Sequence, residues 1–269
     1  MNTLEKQRLE IGEYLVKECD AKAYKASFED EGASFEDISR AKIITEKVGL
    51  NLDIKVGGCE AIANIREAKI LGARAIIGPM IETPYAMRKF IGAVKKVYDK
   101  EELDDIDLGV NIETITGANN FEEILDVINE EKIIKRIAVG RSDFIGSMGL
   151  PKSDINNKEI FNHVYKIFTL AKKYNLVTAM GGGIDIDAIP FIKSLGKLLD
   201  YYETRYIIFQ NDPEKLDKDM AIGILNAQKF EANYLEDMSN RYRNWSTSNL
   251  DRCQMIKKRI KKAENYINK

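Results

Sequence analysis

Apolar residues in this chain fall into short runs separated by stretches of helical spacing. Two runs stand out. They read Leu108-Gly109-Val110-Asn111-Ile112-Glu113-Thr114 and Arg136-Ile137-Ala138-Val139-Gly140-Arg141-Ser142-Asp143, and each ends in a carboxylate. Short apolar runs with polar ends are the pattern of parallel strands buried on both faces. Between them, Phe121, Ile124, Leu125 and Ile128 recur at helical spacing. Similar runs predict strands over 21–28, 52–56, 73–77, 176–180 and 202–209. Helices are expected over 3–18 (capped by Thr3), over 34–48 (capped by Ser34, with Asp37 three residues on), and over 62–71, 85–98, 158–174 and 185–195. The charged segment 99–105 reads as loop.

Seven strands alternating with helices imply right-handed parallel crossovers. The fold class is therefore α/β, a TIM-type (β/α) barrel. Such a barrel normally closes with eight strands, so one is missing, hidden or supplied differently. Beyond Pro213 the pattern changes. Leu216, Met220, Ile224, Ala227, Tyr234, Met238, Tyr242 and Trp245 mark a long amphipathic helix. Ser246, Thr247 and Ser248 then offer a break before a basic helix from Leu250 onward. This divides the chain into a barrel domain with an N-terminal helix, 1–213, and a C-terminal helical arm, 214–269. A stripe that long needs covering. Packing on a second copy in a homo-oligomer is the expected use, with a hairpin folded over its own barrel as the alternative.

At 269 residues and 44% hydrophobic, the chain can bury a large core. Charged residues make up 31% but nearly cancel to a net charge of -2, which gives no basis for a nucleic-acid partner. No apolar run approaches a membrane span, and the first twenty residues lack the apolar centre of a signal peptide. Cys19, Cys59 and Cys253 match no disulfide or metal framework. A cytoplasmic setting is expected.

The chemistry concentrates at strand ends. Glu113 and Asp143 close neighbouring strands at the carboxyl end, where barrel active sites sit. Two acidic side chains on a polar rim suit a hard divalent cation with positions left for substrate; two salt-bridged or capping carboxylates are the plain alternative. Glu29, Asp30 and Glu31 crowd another strand end, and a carboxylate crowded by like charge is suited to accept a proton. Gly57, Gly58, Gly181, Gly182 and Gly183 follow strands, where bare N–H groups can approach an anion, or where tight turns need glycine. Lys25 and Arg205 point toward the polar end, although Arg205 falls close to the start of its strand.

Several of these stretches resemble one family, the HpcH/HpaI aldolase and citrate lyase β-subunit group of (β/α) barrels. Asn111-Ile112-Glu113-Thr114 resembles its Q-I-E-T strand end. Gly140-Arg141-Ser142-Asp143-Phe144 through Ser147-Met148-Gly149-Leu150 resembles its G-x-x-D-L-x-x-S-L-G-[IL] segment, and Phe28-Glu29-Asp30 resembles the L-E-D of the citrate lyase branch. The resemblance runs from about residue 21 to 209 and implies that Glu113 and Asp143 hold Mg²⁺ or Mn²⁺. Lys55 falls where the family places an arginine on the substrate's carboxylate and carbonyl oxygens, and Glu29 takes the place of the base, with Glu31 beside it. Lys25, Gly57, Gly58, Arg141, Ser142, Gly181 and Gly182 are the candidate substrate contacts. The implied activity is a metal-dependent carbon–carbon lyase, an aldolase working on a 2-keto-3-deoxy acid through a pyruvate enolate. A citryl- or malyl-CoA lyase and a catalytically idle binding barrel are the alternatives. Lys55 would stabilise the enolate by charge or, second, form a Schiff base. Two features depart from the family: the aldolase histidine is absent, since His163 sits in a helix, and the family's first strand is not visible.

Overall fold

The computed structural model describes residues 1–29 and 32–267. It begins with α1 (Thr3–Glu18), β1 (Ala21–Ser27), α2 (Phe35–Val48), β2 (Asn51–Lys55), α3 (Ile62–Ile70), β3 (Ala75–Gly78), α4 (Pro84–Lys95) and α5 (Lys100–Asp105). It continues with β4 (Asp107–Asn111), α6 (Ile115–Asn119), α7 (Phe121–Glu131), β5 (Ile134–Gly140), α8 (Arg141–Ser147), α9 (Lys158–Lys173) and β6 (Val177–Gly181). The order ends with α10 (Ile189–Leu195), β7 (Tyr201–Glu203), β8 (Ile207–Gln210) and α11 (Asp217–Ile267).

The strands close into a barrel in sequence order. β1 to β7 run parallel, but β8 is antiparallel to both its neighbours, β7 and β1. The single strand expected over 202–209 is thus a hairpin, folded at Thr204-Arg205-Tyr206. The Thr204 Oγ1 accepts the Ile207 N–H at 3.2 Å and the Thr204 N–H donates to the Ile207 carbonyl at 3.0 Å. The eighth strand was hidden here, and among the described residues no strand precedes β1, because α1 leads straight into it. No glycine or proline marks the turn, so the pattern reads as one strand.

Alternation along the strands decides what faces the cavity. Leu52, Ile54 and Val56, Leu108, Val110 and Ile112, and Ile137 and Val139 belong to the apolar core. The residues between them carry the polar groups: Asp53 and Lys55, Asn111 and Glu113, Arg136. Period-two alternation therefore sends one set to the helix layer and the other into the barrel. Low in that interior, Arg136 donates to Asp53 at 2.6 Å and lies 5.7 Å from the Tyr201 ring centre.

Three local expectations change. Asn2, in a reciprocal capping box with Glu5, caps α1 in place of Thr3. The segment expected as loop at 99–105 holds α5, capped by Asp99 with Glu102. The break expected near residue 246 is absent: α11 is continuous, because serine and threonine lower helix propensity by only tenths of a kcal/mol, roughly, and no proline or glycine intervenes.

The hairpin leaves no crossover helix between β7 and β8, and α1 with α11 covers that side. Met220, Ile224, Ala227, Phe230 and Tyr234 are all buried. Tyr24 of β1 stacks on Tyr206 and meets Phe230 and Tyr234. Arg8 donates to Asp237 at 2.9 Å in a buried pair, and the Tyr242 hydroxyl donates to Asp37 at 2.6 Å. The front half of the arm thus folds on its own barrel, contributing on the order of 10 kcal/mol of apolar burial, and needs no second subunit to cover it. Over residues 243–261 the helix is almost wholly exposed, with Trp245 at 60%. Among the described residues, no helix is long and apolar enough to cross a membrane.

Candidate active site

A cavity of about 270 Å³ opens at the carboxyl ends of the parallel strands. Lys25, Ser27, Lys55, Asn111, Glu113, Gly140, Ser142, Asp143, Gly181, Gly182, Glu203, Arg205 and Glu231 are among the residues that line it. Of the eighteen described residues that line it, eleven are polar or charged, so the wall suits a small polar molecule.

Glu113 is the most constrained of these groups. It follows β4 and is 2% exposed. Its Oε1 accepts the Met80 N–H at 3.0 Å, and its Oε2 accepts from Asn111 Nδ2 at 2.9 Å. Gly140 provides the space, since a Cβ there would lie 2.5 Å from Glu113 Oε2. Lys55, at the end of β2, places its Nζ 2.5 Å from Glu29 and 3.5 Å from Glu113. Its charge is shared by two carboxylates rather than forked onto one. Glu29 pairs with Lys55 but is not among the residues of the cavity wall; Glu31 lies outside the described residues.

Asp143 is exposed in the first turn of α8, one turn beyond the strand end where the sequence pattern put it, and shares the wall with Glu113. The Asn111 Oδ1 is buried with no hydrogen-bond partner among the described residues. No group of three or more His, Cys, Asp or Glu side chains among the described residues could hold a metal ion by itself. A magnesium-like ion commonly takes only one or two carboxylates and completes its shell with water and substrate. Glu113, Asp143 and the unbonded amide oxygen of Asn111 fit that donor set.

Lys25 pairs with Glu203, which ends β7. Arg205 sits at the hairpin turn, beyond the end of β7 rather than near the start of a strand, and so enters the wall. Across from it stands Glu231 of α11, which burial holds above the usual carboxylate range while Arg205 opposes the shift. Asn111, Ser27, Glu203 and Glu231 were missed as site residues. For Asn111 the alternation Leu108-Gly109-Val110-Asn111 was signal enough; Glu203 ends a three-residue strand too short to show one.

Two expectations are corrected. Gly57 and Gly58 lie outside the cavity, in a turn where the Gly57 N–H donates to Asn64 Oδ1 at 3.1 Å. Arg141 is fully buried and does not reach substrate space. Its guanidinium donates to Asn156 Oδ1 at 2.6 Å and to the carbonyls of Gly182 and Gly183 at 2.8 and 3.1 Å, 4.6 Å from the Phe191 ring centre. Burial lowers its pKa to about 10, with Asp185 opposing, so it stays charged at neutral pH. It ties the loop after β6 to the start of α8. Gly182 makes that approach possible: its φ is +80°, and a Cβ there would meet the Ser142 nitrogen at 2.5 Å. Ser142, Gly181 and Gly182 stay in the wall, whereas His163 packs against Phe144 on α9.

Residues 53–182 match the family described as HpcH/HpaI aldolase/citrate lyase. Just under half of the chain therefore resembles that family, and the barrel is similar in fold to its solved members. The matched segment holds Lys55, Glu113, Asp143 and Gly182, and leaves out Lys25, Glu29, Glu203 and Arg205. An HpcH/HpaI aldolase from Desulfitobacterium hafniense DCB-2 is similar in fold, at 13% identity and a TM-score of 0.58, over 73% of this chain and 82% of that one. The citrate synthase SbnG is similar at 16% identity and 0.57, over 82% and 89%. An HpcH/HpaI aldolase/citrate lyase family protein from Burkholderia cenocepacia J2315 follows at 16% and 0.55, over 76% and 93%. At such identities the likeness carries the fold. No curated protein matches the chain.

Proposed function

We propose that this protein is a divalent-cation-dependent carbon–carbon lyase that cleaves, or forms, a 2-keto-3-deoxy-acid-type substrate through a pyruvate enolate. The observation that carries the reading is the convergence of Glu113, Asp143 and the unbonded Asn111 Oδ1 on one cavity beside Lys55. Mg²⁺ or Mn²⁺ held there would polarise the oxo group and stabilise negative charge on its oxygen. The chain's own contribution is positioning. Glu113 is aimed by Met80 and Asn111, and Lys55 adds positive charge over the same space. Arg141 holds the loops after β5 and β6 together beneath the substrate. The cavity, about 270 Å³, is at the small end for ligand pockets and suits a short oxo acid.

The Glu29–Lys55–Glu113 ion pairs are also what an idle, salt-bridged barrel would keep, so the test must separate the two. Wild-type protein with Mn²⁺ is expected to release pyruvate from a panel of 4-hydroxy-2-oxo acids. Glu113→Gln and Asp143→Asn should each lower that rate at least about a hundredfold and weaken Mn²⁺ binding in calorimetry, while circular dichroism stays native. Full Mn²⁺ affinity in both variants, or no pyruvate from the wild type, would leave the idle barrel standing.

A further inference from the structure

Glu203 has a feature that the proposed lyase site does not use. It ends β7, faces the cavity and is 4% exposed. Its Oε2 accepts from the Lys25 ammonium, but its Oε1 is buried with no hydrogen-bond partner among the described residues. The side chain is held between Lys25 and Gly181, where an added Cβ would lie 3.4 Å from Oε2. A buried carboxylate oxygen left without a donor is costly unless a ligand supplies one. The donor that fits is a neutral hydroxyl. An ammonium would also meet Lys25, Lys55 and Arg205 in the same wall.

Among the described residues, the lyase reading has not yet assigned a proton acceptor. His163 is on α9 against Phe144, and Glu29 is paired with Lys55 outside the wall. Glu113 and Asp143 are assigned to the cation, and Glu231 stands beside Arg205 on α11. Glu203 is left. Resting on the lyase reading above, we propose that Glu203, braced by Lys25, accepts the substrate's 4-hydroxyl and takes its proton as the carbon–carbon bond breaks.

The step balances without any redox partner. The hydroxyl proton passes to the Glu203 carboxylate, and the oxygen's electrons form the aldehyde C=O. The C3–C4 pair moves into the C2–C3 bond to give the enolate. The protonated Glu203 then returns its proton to C3, which yields the methyl group of the 2-oxo acid. Lys25 and Glu203 both lie outside the segment matched by the family, so this pair belongs to the chain's own closing strands.

The test uses two probes that cannot be cleaved because they lack the C2 oxo group: 2,4-dihydroxypentanoate and 2-hydroxypentanoate. Calorimetry with Mn²⁺ should show the wild type binding the 4-hydroxyl compound roughly tenfold or more tightly. Glu203→Ala should abolish that preference while still binding 2-hydroxypentanoate. In turnover, Glu203→Gln should lose about a hundredfold or more in kcat and the acid limb of its pH–rate profile, with Mn²⁺ affinity unchanged. Thermal melts identify any variant that fails to fold, and Lys25→Met, which leaves Glu203 in place, gives a second route to the same loss of preference. A preference that survives in Glu203→Ala, or a Glu203→Gln rate within threefold of wild type (roughly, the spread of a neutral substitution), overturns the proposal. Probe preference lost in Glu203→Ala with no turnover by the wild type sinks the lyase reading and the proton transfer with it, leaving only a hydroxyl-binding site.

Discussion

Gly140→Ala is a substitution whose effect follows from geometry. Gly140 has φ -88° and ψ 95°, values any residue adopts, so the backbone itself does not resist alanine. The resistance comes from Glu113: the new methyl would sit 2.5 Å from its Oε2 and 3.3 Å from its Cβ. Ordinary contact requires the carboxylate to retreat by about 1 Å. Its bonds from Asn111 Nδ2 at 2.9 Å and Met80 N–H at 3.0 Å hold it from opposite ends, and they do not both survive that shift. A lost hydrogen bond to a charged group costs about 1.5–3 kcal/mol, and overpacking about 1–3 kcal/mol, against a gain of about 0.5–1 kcal/mol from a stiffer unfolded chain. The net loss is about 1.5–5.5 kcal/mol, or a fall in Tm of roughly 3–22 °C for a domain this size. Scanning calorimetry measures it. Gly146→Ala, in the short helix α8 that follows, is the control, because nothing lies within 4 Å of its added Cβ; it should be neutral or raise stability by up to about 1 kcal/mol. Mn²⁺ affinity should fall at least about tenfold in Gly140→Ala and stay level in the control. A Gly140→Ala protein that melts with the wild type would refute the reasoning.

Two further expectations concern α11. Burial would raise the Asp37 carboxyl, but hydrogen bonds from Tyr242 and Ser34, with the charge of Arg241, hold it below its ordinary value of 3.8. A depressed folded-state value contributes stability that is complete above the unfolded value and is lost as pH falls through the folded one. Stability should therefore drop as pH falls below 3.8, and Tyr242→Phe should shrink that dependence in urea titrations at pH 7 and pH 3; an unchanged pH dependence would count against the contact. Removing residues 244–269 should leave Tm within a few degrees, roughly, because residues 244–261 are almost wholly exposed. Ending the chain at Pro213 should instead give aggregated protein in light scattering, since it uncovers β1 and β8; a soluble, cooperatively melting 213-residue barrel would show that α11 is dispensable.

The sequence by itself determined seven of the eight strands, their order and part of the inward polar set. Leu52-Asp53-Ile54-Lys55-Val56 and Leu108-Gly109-Val110-Asn111-Ile112 carry a period of two, and that period alone sends Lys55 and Asn111 inward. Glu113 and Asp143 could be placed on one rim because neighbouring parallel strands end at the same side. Tertiary structure decided the rest. Whether Tyr201 to Gln210 is one strand or two depends on barrel closure, since β8 has to pair with β1 and only a reversed strand reaches it after so short a turn. That reversal carries Arg205 into the cavity wall and leaves Glu203 against Lys25, contacts about 178 residues apart in sequence that no local pattern encodes. It also removes a crossover helix, which is why α11 folds back over the barrel and brings Glu231 to the site. Arg141 shows the same limit from the other side. Its place in a strand-end motif suggested a substrate contact, but the carbonyls of Gly182 and Gly183, forty residues away in a loop with positive φ, hold its guanidinium in the interior.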